Sequence, residues 1–179
     1  MPFRTAAALG LFLALPAALP AAAQDAAAPA EGEAPMIAEL KTAEGESLGT
    51  ATAVATPSGM MLVTLELSGL PAGIHGAHIH ETGECTPPDF DSAGGHLAGD
   101  KDHGVMAANG PHPGDLPNIH VPDSGALTVE YFVAGLTADM MADDDGSAII
   151  IHEHPDDYVG QPTGHAGGRI GCGAFAQAD

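Results

Sequence analysis

Short segments in which apolar and polar residues alternate dominate the chain from Met36 onward. The clearest is Met61–Leu67, Met-Leu-Val-Thr-Leu-Glu-Leu, whose period of two places successive side chains on opposite faces of a strand. Comparable strand patterns lie at 37–41, 48–55, 73–80, 119–121, 126–134, 148–152 and 169–175. Because short strands at this spacing are typical of antiparallel sheets, the sequence predicts an all-β domain, an antiparallel sandwich or barrel.

Two long irregular segments interrupt this pattern, at 82–118 and at 153–168. Irregular segments of this length are uncommon in a compact domain unless other interactions hold them in place. Metal binding and a disulfide are the expected supports. The first segment contains four candidate metal ligands, spaced seven, nine and three residues apart: His96, His103, His112 and Asp115.

The stretch from Gly73 to Cys85 contains three histidines. His78 and His80 are two residues apart, so on a strand both imidazoles leave the same face and offer two neutral nitrogens, as copper or zinc prefers. His75 is at an odd offset and is expected to point to the other face. Taken alone, a His-x-His pair is a weak signal for a metal site, and an ordinary surface strand explains it more simply.

The N-terminus resembles a secretory signal. Arg4 precedes a mostly apolar run that ends in Ala21-Ala22-Ala23, and two prolines make this run a poor membrane-spanning helix. We therefore predict a signal peptide at 1–23, a disordered Ala/Pro-rich linker at 24–35 and one domain at 36–179. The mature protein is expected in the periplasm or outside the cell. In such an oxidising compartment Cys85 and Cys172 are expected to form a disulfide, with metal ligation by cysteine as the alternative.

The formal net charge is -20, with four Lys and Arg residues against 24 Asp and Glu residues. Such a surface repels phosphate backbones and anionic lipids, so we expect neither nucleic acid nor a membrane as a partner. Solubility, a salty environment and attraction of metal cations are three explanations that the sequence leaves open. A homodimer is compatible with the sequence.

Five ordered motifs now identify a family resemblance. They are Gly-Ile-His-Gly-Ala-His-Ile-His-Glu from Gly73, Ser-Ala-Gly-Gly-His ending at His96, Pro-His-Pro-Gly-Asp ending at Asp115, His-Glu-His-Pro-Asp-Asp from His152, and Gly-His-Ala-Gly-Gly-Arg-Ile-Gly-Cys-Gly ending at Gly173. Together they make the chain resemble the copper/zinc superoxide dismutases across about 36–176. The resemblance implies an eight-stranded antiparallel Greek-key sandwich or flattened barrel with two long metal-site loops, and superoxide anion as the substrate.

Residue by residue, the resemblance implies a copper site of His78, His80, His96 and His152, and a zinc site of His96, His103, His112 and Asp115. His96 would bridge the two metals and take part in catalysis. Arg169 would attract the anionic substrate beside copper, Asp156 would link a copper histidine to a zinc histidine, and His75 would fix loop positions by hydrogen bonds. Cys85 would pair with Cys172.

Two features depart from the family pattern. The spacing from His96 to His103 is about one residue short, and no Lys or Arg lies between Asp157 and Arg169. Long-range attraction of superoxide should therefore be poor, which leaves Arg169 and the metals to attract it locally. Two other functions stay open: a non-catalytic copper- or zinc-binding protein on the same fold, and a structural or interaction module in which metals only brace the loop. His154 and His165 have no predicted role.

Overall fold

A computed structural model describes residues 34–178, which are built almost entirely of β-strands. The strands are β1 (Met36–Lys41), β2 (Ser47–Ala55), β3 (Met61–Leu67), β4 (Gly73–His75), β5 (Ala77–His80), β6 (Ile119–Val121), β7 (Leu127–Val133), β8 (Ala148–His152) and β9 (Arg169–Gln177). The predicted signal peptide at 1–23 and residues 24–33 of the predicted linker lie outside the described residues.

Seven of the strands form one curled sheet in the order β5-β8-β9-β1-β2-β3-β7, and β4 pairs with β6 in a second small sheet. Every pairing is antiparallel. The first and last strands, β1 and β9, are neighbours, and Pro35 extends their contact by accepting a hydrogen bond from the Ala178 amide at 2.8 Å. The predicted all-β antiparallel fold is confirmed.

The core follows from the alternation seen in the sequence. In β1 and β3 every second side chain is buried, and these inward residues pack against the wholly buried strand β8. Burying each large aliphatic side chain stabilises the fold by about 1.5–3 kcal/mol. The fully buried set includes Leu40, Leu65, Ile79, Ile149 and Ile151. This core gives the histidine-bearing strands β5 and β8 a rigid backing.

The predicted number of strands is wrong by one because the histidine strand is divided at Gly76. On its N-terminal side β4 pairs with β6, whereas on its C-terminal side β5 pairs with β8. At the break the Gly76 amide donates to the His154 carbonyl and the Gly76 carbonyl accepts from the His152 amide, both at 2.9 Å. The segment therefore leaves one sheet and joins the other at this glycine.

Two short helical turns were not predicted from the sequence: a 3-10 turn at Asp91–Ala93 and a helix at Ala138–Met141. The helix begins after Thr137, whose hydroxyl accepts a hydrogen bond from the Met140 amide as an N-cap. Within 34–178, neither helical segment has the length and apolar character needed to span a bilayer.

The two predicted irregular segments are confirmed, at 81–118 between β5 and β6 and at 153–168 between β8 and β9. They are called the first and second loops below. Because β5 and β8 are antiparallel, the first loop leaves this pair beside Ala148 and the second loop leaves it beside Ala77.

Candidate metal centre

The first loop is fastened to the free edge of β5, and this places its metal-binding side chains beside those of the strand. The Ile79 amide donates to the Gly114 carbonyl, and the Leu97 amide donates to the Ile79 carbonyl, both at 2.8 Å. A β-carbon on Gly114 would lie 2.3 Å from the Ile79 carbonyl oxygen, so only glycine allows this approach. His80 consequently lies opposite His96, and His78 lies opposite Asp115.

Four histidines meet at this edge with ring nitrogens close enough to share one ion: His78 and His80 of β5, His96 of the first loop and His152 of β8. Nδ1 of His78 and Nε2 of the other three are buried without a hydrogen-bond partner among the described residues. Unpaired buried nitrogens are unfavourable unless another group accepts their lone pairs. The group is therefore suited to hold a metal ion such as copper.

The protonation of this group fits metal binding. Burial, reinforced by neighbouring histidines, lowers the pKa of His80 to about 2 and that of His152 to about 3. Burial likewise lowers the pKa of His96 to about 4, although its contact with Asp115 acts in the opposite direction. These three rings are neutral at pH 7, and neutral imidazole is the form that binds metals.

A second group of four candidate ligands consists of Asp115 and the three histidines around it. Oδ1 of Asp115 lies 3.0 Å from Nδ1 of His96, 3.1 Å from Nδ1 of His103 and 3.2 Å from Nδ1 of His112. Three imidazoles and one carboxylate are a donor set that suits tetrahedral zinc. The short spacing between His96 and His103 therefore does not prevent His103 from reaching the group.

Hydrogen bonding also sets the charges of the second group. Burial disfavours the charged forms of Asp115 and His103. Their mutual hydrogen bond nevertheless holds the pKa of Asp115 well below its usual range, and together with Asp156 it raises the pKa of His103 to about 9. Two backbone amides, of Gly104 at 2.8 Å and His112 at 3.0 Å, donate to Asp115 Oδ2 and fix the carboxylate.

Asp156 of the second loop connects the two groups. Its Oδ2 lies 2.7 Å from Nε2 of His78, and its Oδ1 lies 3.0 Å from Nε2 of His103. Asn118 holds Asp156 in turn, since its side-chain amide exchanges hydrogen bonds with the Asp156 backbone at 2.8 and 2.9 Å. The Tyr158 backbone amide donates to Asp156 Oδ1 at 2.6 Å, and the Tyr158 hydroxyl oxygen accepts from the Asn118 backbone amide at 2.8 Å.

Arg169, the first residue of β9, lies next to the first group of histidines. Its Nη1 donates to the Phe90 carbonyl at 2.6 Å, and its Nη2 donates to the Gly94 carbonyl at 2.8 Å. The same Gly94 oxygen lies 3.0 Å from Nδ1 of His80. This shared acceptor fixes the guanidinium beside His80, and its positive charge helps to lower the pKa values of His80 and His152.

Cys85 and Cys172 form the predicted disulfide, which excludes cysteine as a metal ligand. It ties the first loop to β9, the strand that carries Arg169. Next to it, Phe90 is buried against Ile150 and Cys172. This small cluster positions the segment whose carbonyls hold Arg169.

The remaining histidines lie outside both ligand groups. His75 is buried, with Nδ1 2.8 Å from the His152 carbonyl and Nε2 3.1 Å from the Pro71 carbonyl. His120 is exposed on β6, and the side chains of His154 and His165 are 60% and 76% exposed. His165 contacts Asp157 at 2.8 Å.

Comparison with known proteins decides the family. Residues 47–175 match the family model described as copper/zinc superoxide dismutase. The chain is also 43% identical over 143 residues to superoxide dismutase [Cu-Zn] 1 of Aquifex aeolicus, covering 76% of this chain and 84% of that protein. It is 41% identical over 148 residues to the superoxide dismutase [Cu-Zn] of Caulobacter vibrioides, covering 77% and 83%. The chain belongs to the copper/zinc superoxide dismutase family.

Solved structures agree with this assignment. A superoxide dismutase-like protein from Bacillus subtilis superimposes with a TM-score of 0.74 at 35% identity, covering 78% of this chain and 97% of that one. The Cu/Zn superoxide dismutase from Brucella abortus has the same fold, with a TM-score of 0.66 at 23% identity, covering 79% and 99%. Family membership confirms the predicted class of enzyme, an oxidoreductase of the superoxide dismutase type, and its predicted cofactors, copper and zinc.

The sequence reasoning missed three supporting residues: Asn118, Tyr158 and Gln161. Asn118 and Gln161 reach Asp156 and His103 through hydrogen bonds that span 38 and 58 positions of the chain, and Tyr158 reaches Asn118 across 40 positions. An amide or phenol in a loop carries no signal of such a contact in a single sequence.

Proposed function

We propose that this member of the family disproportionates superoxide at a copper site made by His78, His80, His96 and His152. In this proposal His96 also binds zinc, together with His103, His112 and Asp115. The supporting observation is the position of His96 in both ligand groups. Its Nδ1 lies 3.0 Å from Asp115, while its Nε2 is buried without a partner among the described residues on the side of the other histidines.

When bound, copper would take an electron from one superoxide, which leaves as oxygen, and give it to a second, which leaves with two protons as hydrogen peroxide; zinc has no redox chemistry and supplies structure. The role of His96 follows from its two nitrogens. A ring that serves two metal ions through both nitrogens has lost its proton. Nε2 of His96, which faces the first group, could then take up a proton when copper does not bind it and give that proton to the reduced product.

Arg169 would bind the anionic substrate. Two backbone carbonyls hold its guanidinium beside His80, and the planar group has further N–H donors to offer. In a chain with a net charge of -20, this fixed positive charge is the local attraction that offsets the repulsive surface. Its reach is limited by salt to about 8 Å at physiological ionic strength.

The test of this proposal is the rate of superoxide decay after pulse radiolysis, with metal content measured on the same samples. The metal-loaded protein should accelerate decay well above the rate in free solution. Arg169→Ala should lower the rate constant about tenfold at unchanged copper and zinc, as loss of a unit charge a few ångströms from the anion implies. Lys101→Ala removes an equal charge whose nearest acid is the exposed Asp100, and serves as the matched control.

The outcomes separate the alternatives. No accelerated decay by fully loaded protein would favour the non-catalytic metal-binding protein. Equal rates in Arg169→Ala and Lys101→Ala would remove the proposed role of Arg169.

We also propose export. The disulfide Cys85–Cys172 fits an oxidising compartment. We propose that residues 1–23 are removed as a signal peptide and that 24–35 link the new N-terminus to the domain. N-terminal sequencing of the exported protein should then begin at Gln24. A mature protein that begins at Met1 and remains in the cytoplasm would contradict the proposal.

A further inference from the structure

Gln161 of the second loop makes an unusual contact with the first loop. Its side-chain Oε1 accepts a hydrogen bond from the His103 amide at 2.9 Å, and its Nε2 donates to the His103 carbonyl at 2.9 Å. The second Nε2 hydrogen is directed to the Val159 carbonyl at 3.1 Å. The side chain thus pairs with both backbone groups of one residue, as a neighbouring strand would.

His103 depends on this pairing because it lies in an irregular part of the loop. The residue is fully buried, and Gln161 is the partner that its amide and carbonyl have within the described chain. A buried backbone group that loses its partner costs free energy, so the chain shifts to find another. Any such shift would carry the imidazole with it.

The second loop also contacts the neighbourhood of His103 at other points. Nε2 of His103 lies 3.0 Å from Asp156 Oδ1, and the Met106 amide donates to the Tyr158 carbonyl at 3.0 Å. Gly104 packs so closely against the second loop that a β-carbon there would lie 2.0 Å from the Tyr158 carbonyl oxygen. The backbone and ring of His103 are therefore both oriented from the second loop, while its Nδ1 faces Asp115.

We propose that Gln161 is a positioning residue that sets zinc affinity through the backbone of His103 without touching the ion. This inference depends on the proposed zinc site. It assigns a task to a residue of the second loop that lies outside both ligand groups. Because Gln161 is itself exposed, replacing it removes the two hydrogen bonds without opening a cavity in the core.

The test uses the full-length mature protein and compares Gln161→Met with Gln161→Glu. Methionine has a similar length but pairs with neither backbone group, whereas glutamate keeps an acceptor for the His103 amide. The control is Gln177→Met, at the exposed end of β9, whose backbone pairs with Met36 far from both loops. Zinc and copper dissociation constants are measured by chelator competition, and the absorption spectrum of Co²⁺ bound in place of zinc is recorded.

We expect Gln161→Met to weaken zinc binding about tenfold, in the range found for residues that orient metal ligands, and to change the Co²⁺ spectrum. Gln161→Glu should recover part of the loss, and copper affinity and the Gln177→Met control should stay within about twofold of the parent protein. A zinc dissociation constant of Gln161→Met within twofold of that of the Gln177→Met control would overturn the inference. Equal losses of zinc and copper affinity, with a lower melting temperature of the metal-free protein, would overturn it as well by showing a general structural role.

A separate variant distinguishes this inference from the proposed zinc site. Asp115→Ala removes a proposed ligand and should abolish tight zinc binding. If it binds zinc as well as the parent protein, the site itself is wrong. If Asp115→Ala loses zinc but Gln161→Met binds it as tightly as the parent protein, the zinc site is correct and the positioning role of Gln161 is wrong.

Discussion

Replacing Asp156 by asparagine tests the link between the two ligand groups. The carboxylate is ionised, since its contacts with His103 and His78 outweigh the effect of burial and hold its pKa well below the usual range. Once both rings bind metals through Nδ1, each presents an Nε2–H to one carboxylate oxygen. Asparagine has one oxygen, which can serve His103, so its NH2 group would face the N–H of His78.

The magnitude follows from these contacts. A hydrogen bond to a charged group contributes about 1.5–3 kcal/mol, and an unsatisfied buried donor costs about 1–3 kcal/mol. A net loss of about 2 kcal/mol corresponds to about 30-fold weaker metal binding, since 1.4 kcal/mol is tenfold. We expect this loss in the copper affinity of Asp156→Asn, because His78 loses its acceptor, and a smaller loss in its zinc affinity, because His103 keeps one. Both affinities are measured by chelator competition. We also expect that adding metals raises the melting temperature of Asp156→Asn less than it raises that of the parent protein.

The neighbouring Asp157→Asn is the matched control, because this carboxylate is 43% exposed and contacts neither ligand group. Its Oδ2 lies 2.8 Å from the exposed His165, and its Oδ1 accepts hydrogen bonds from the Val159 and Gly160 amides, for which asparagine keeps an oxygen. The control should bind both metals like the parent protein. If Asp156→Asn also binds them within twofold of Asp157→Asn, then the two loops are not coupled through Asp156 and the reasoning above is refuted.

Three further predictions concern copper, the disulfide and the charge near Arg169. His152→Ala should lose copper and keep zinc, since His152 belongs to the first group alone; retention of stoichiometric copper on metal analysis would contradict the ligand set. Replacing Cys85 and Cys172 together by alanine should lower the free energy of unfolding, measured in urea, by about 4–5 kcal/mol, the chain-entropy value for a loop closed across 87 residues. A loss below about 1 kcal/mol would contradict this entropic contribution of the disulfide. The Glu153 carboxylate lies beside Gly168, the residue preceding Arg169. Glu153→Gln removes this negative charge, so it should raise the rate of superoxide decay about twofold at low ionic strength. A gain that persists in high salt would exclude an electrostatic cause.

The strands could be predicted from the sequence because their signal is local. Alternation decides which residues of Met61–Leu67 are buried, and the structure follows that pattern along the strand. The division of the histidine strand could not be predicted in this way. It arises because Gly76 pairs with His152 and His154 across the fold, and the local sequence pattern does not show such long-range partners.

The candidate ligands could also be singled out, since histidine and aspartate at set spacings are visible in one sequence and the resemblance orders them. The groups that hold the site residues in place could not be singled out from the sequence. The acceptors of Arg169 are backbone carbonyls of Phe90 and Gly94, which are 79 and 75 positions away. Any residue type has such a carbonyl, so only the folded chain shows that these two face the guanidinium.

The two ligand groups are supported in different ways, and this difference explains why the second loop contacts the second group. Three of the four histidines in the first group stand on strands of the sheet. In the second group all four ligands belong to the first loop. Two of them, His96 and Asp115, lie where the loop is attached to the edge of β5. His112 is three residues from the attachment at Asp115.

His103 is the member of the second group farthest along the chain from both attachments. Its position must come from elsewhere, because a loop held only at its ends leaves its middle free to move. The contacts of Gln161 with its backbone and of Asp156 with its ring supply what the sheet does not. Zinc affinity in this protein should therefore depend on the order of the second loop more than on the stability of the sheet, whereas copper affinity should show the reverse dependence.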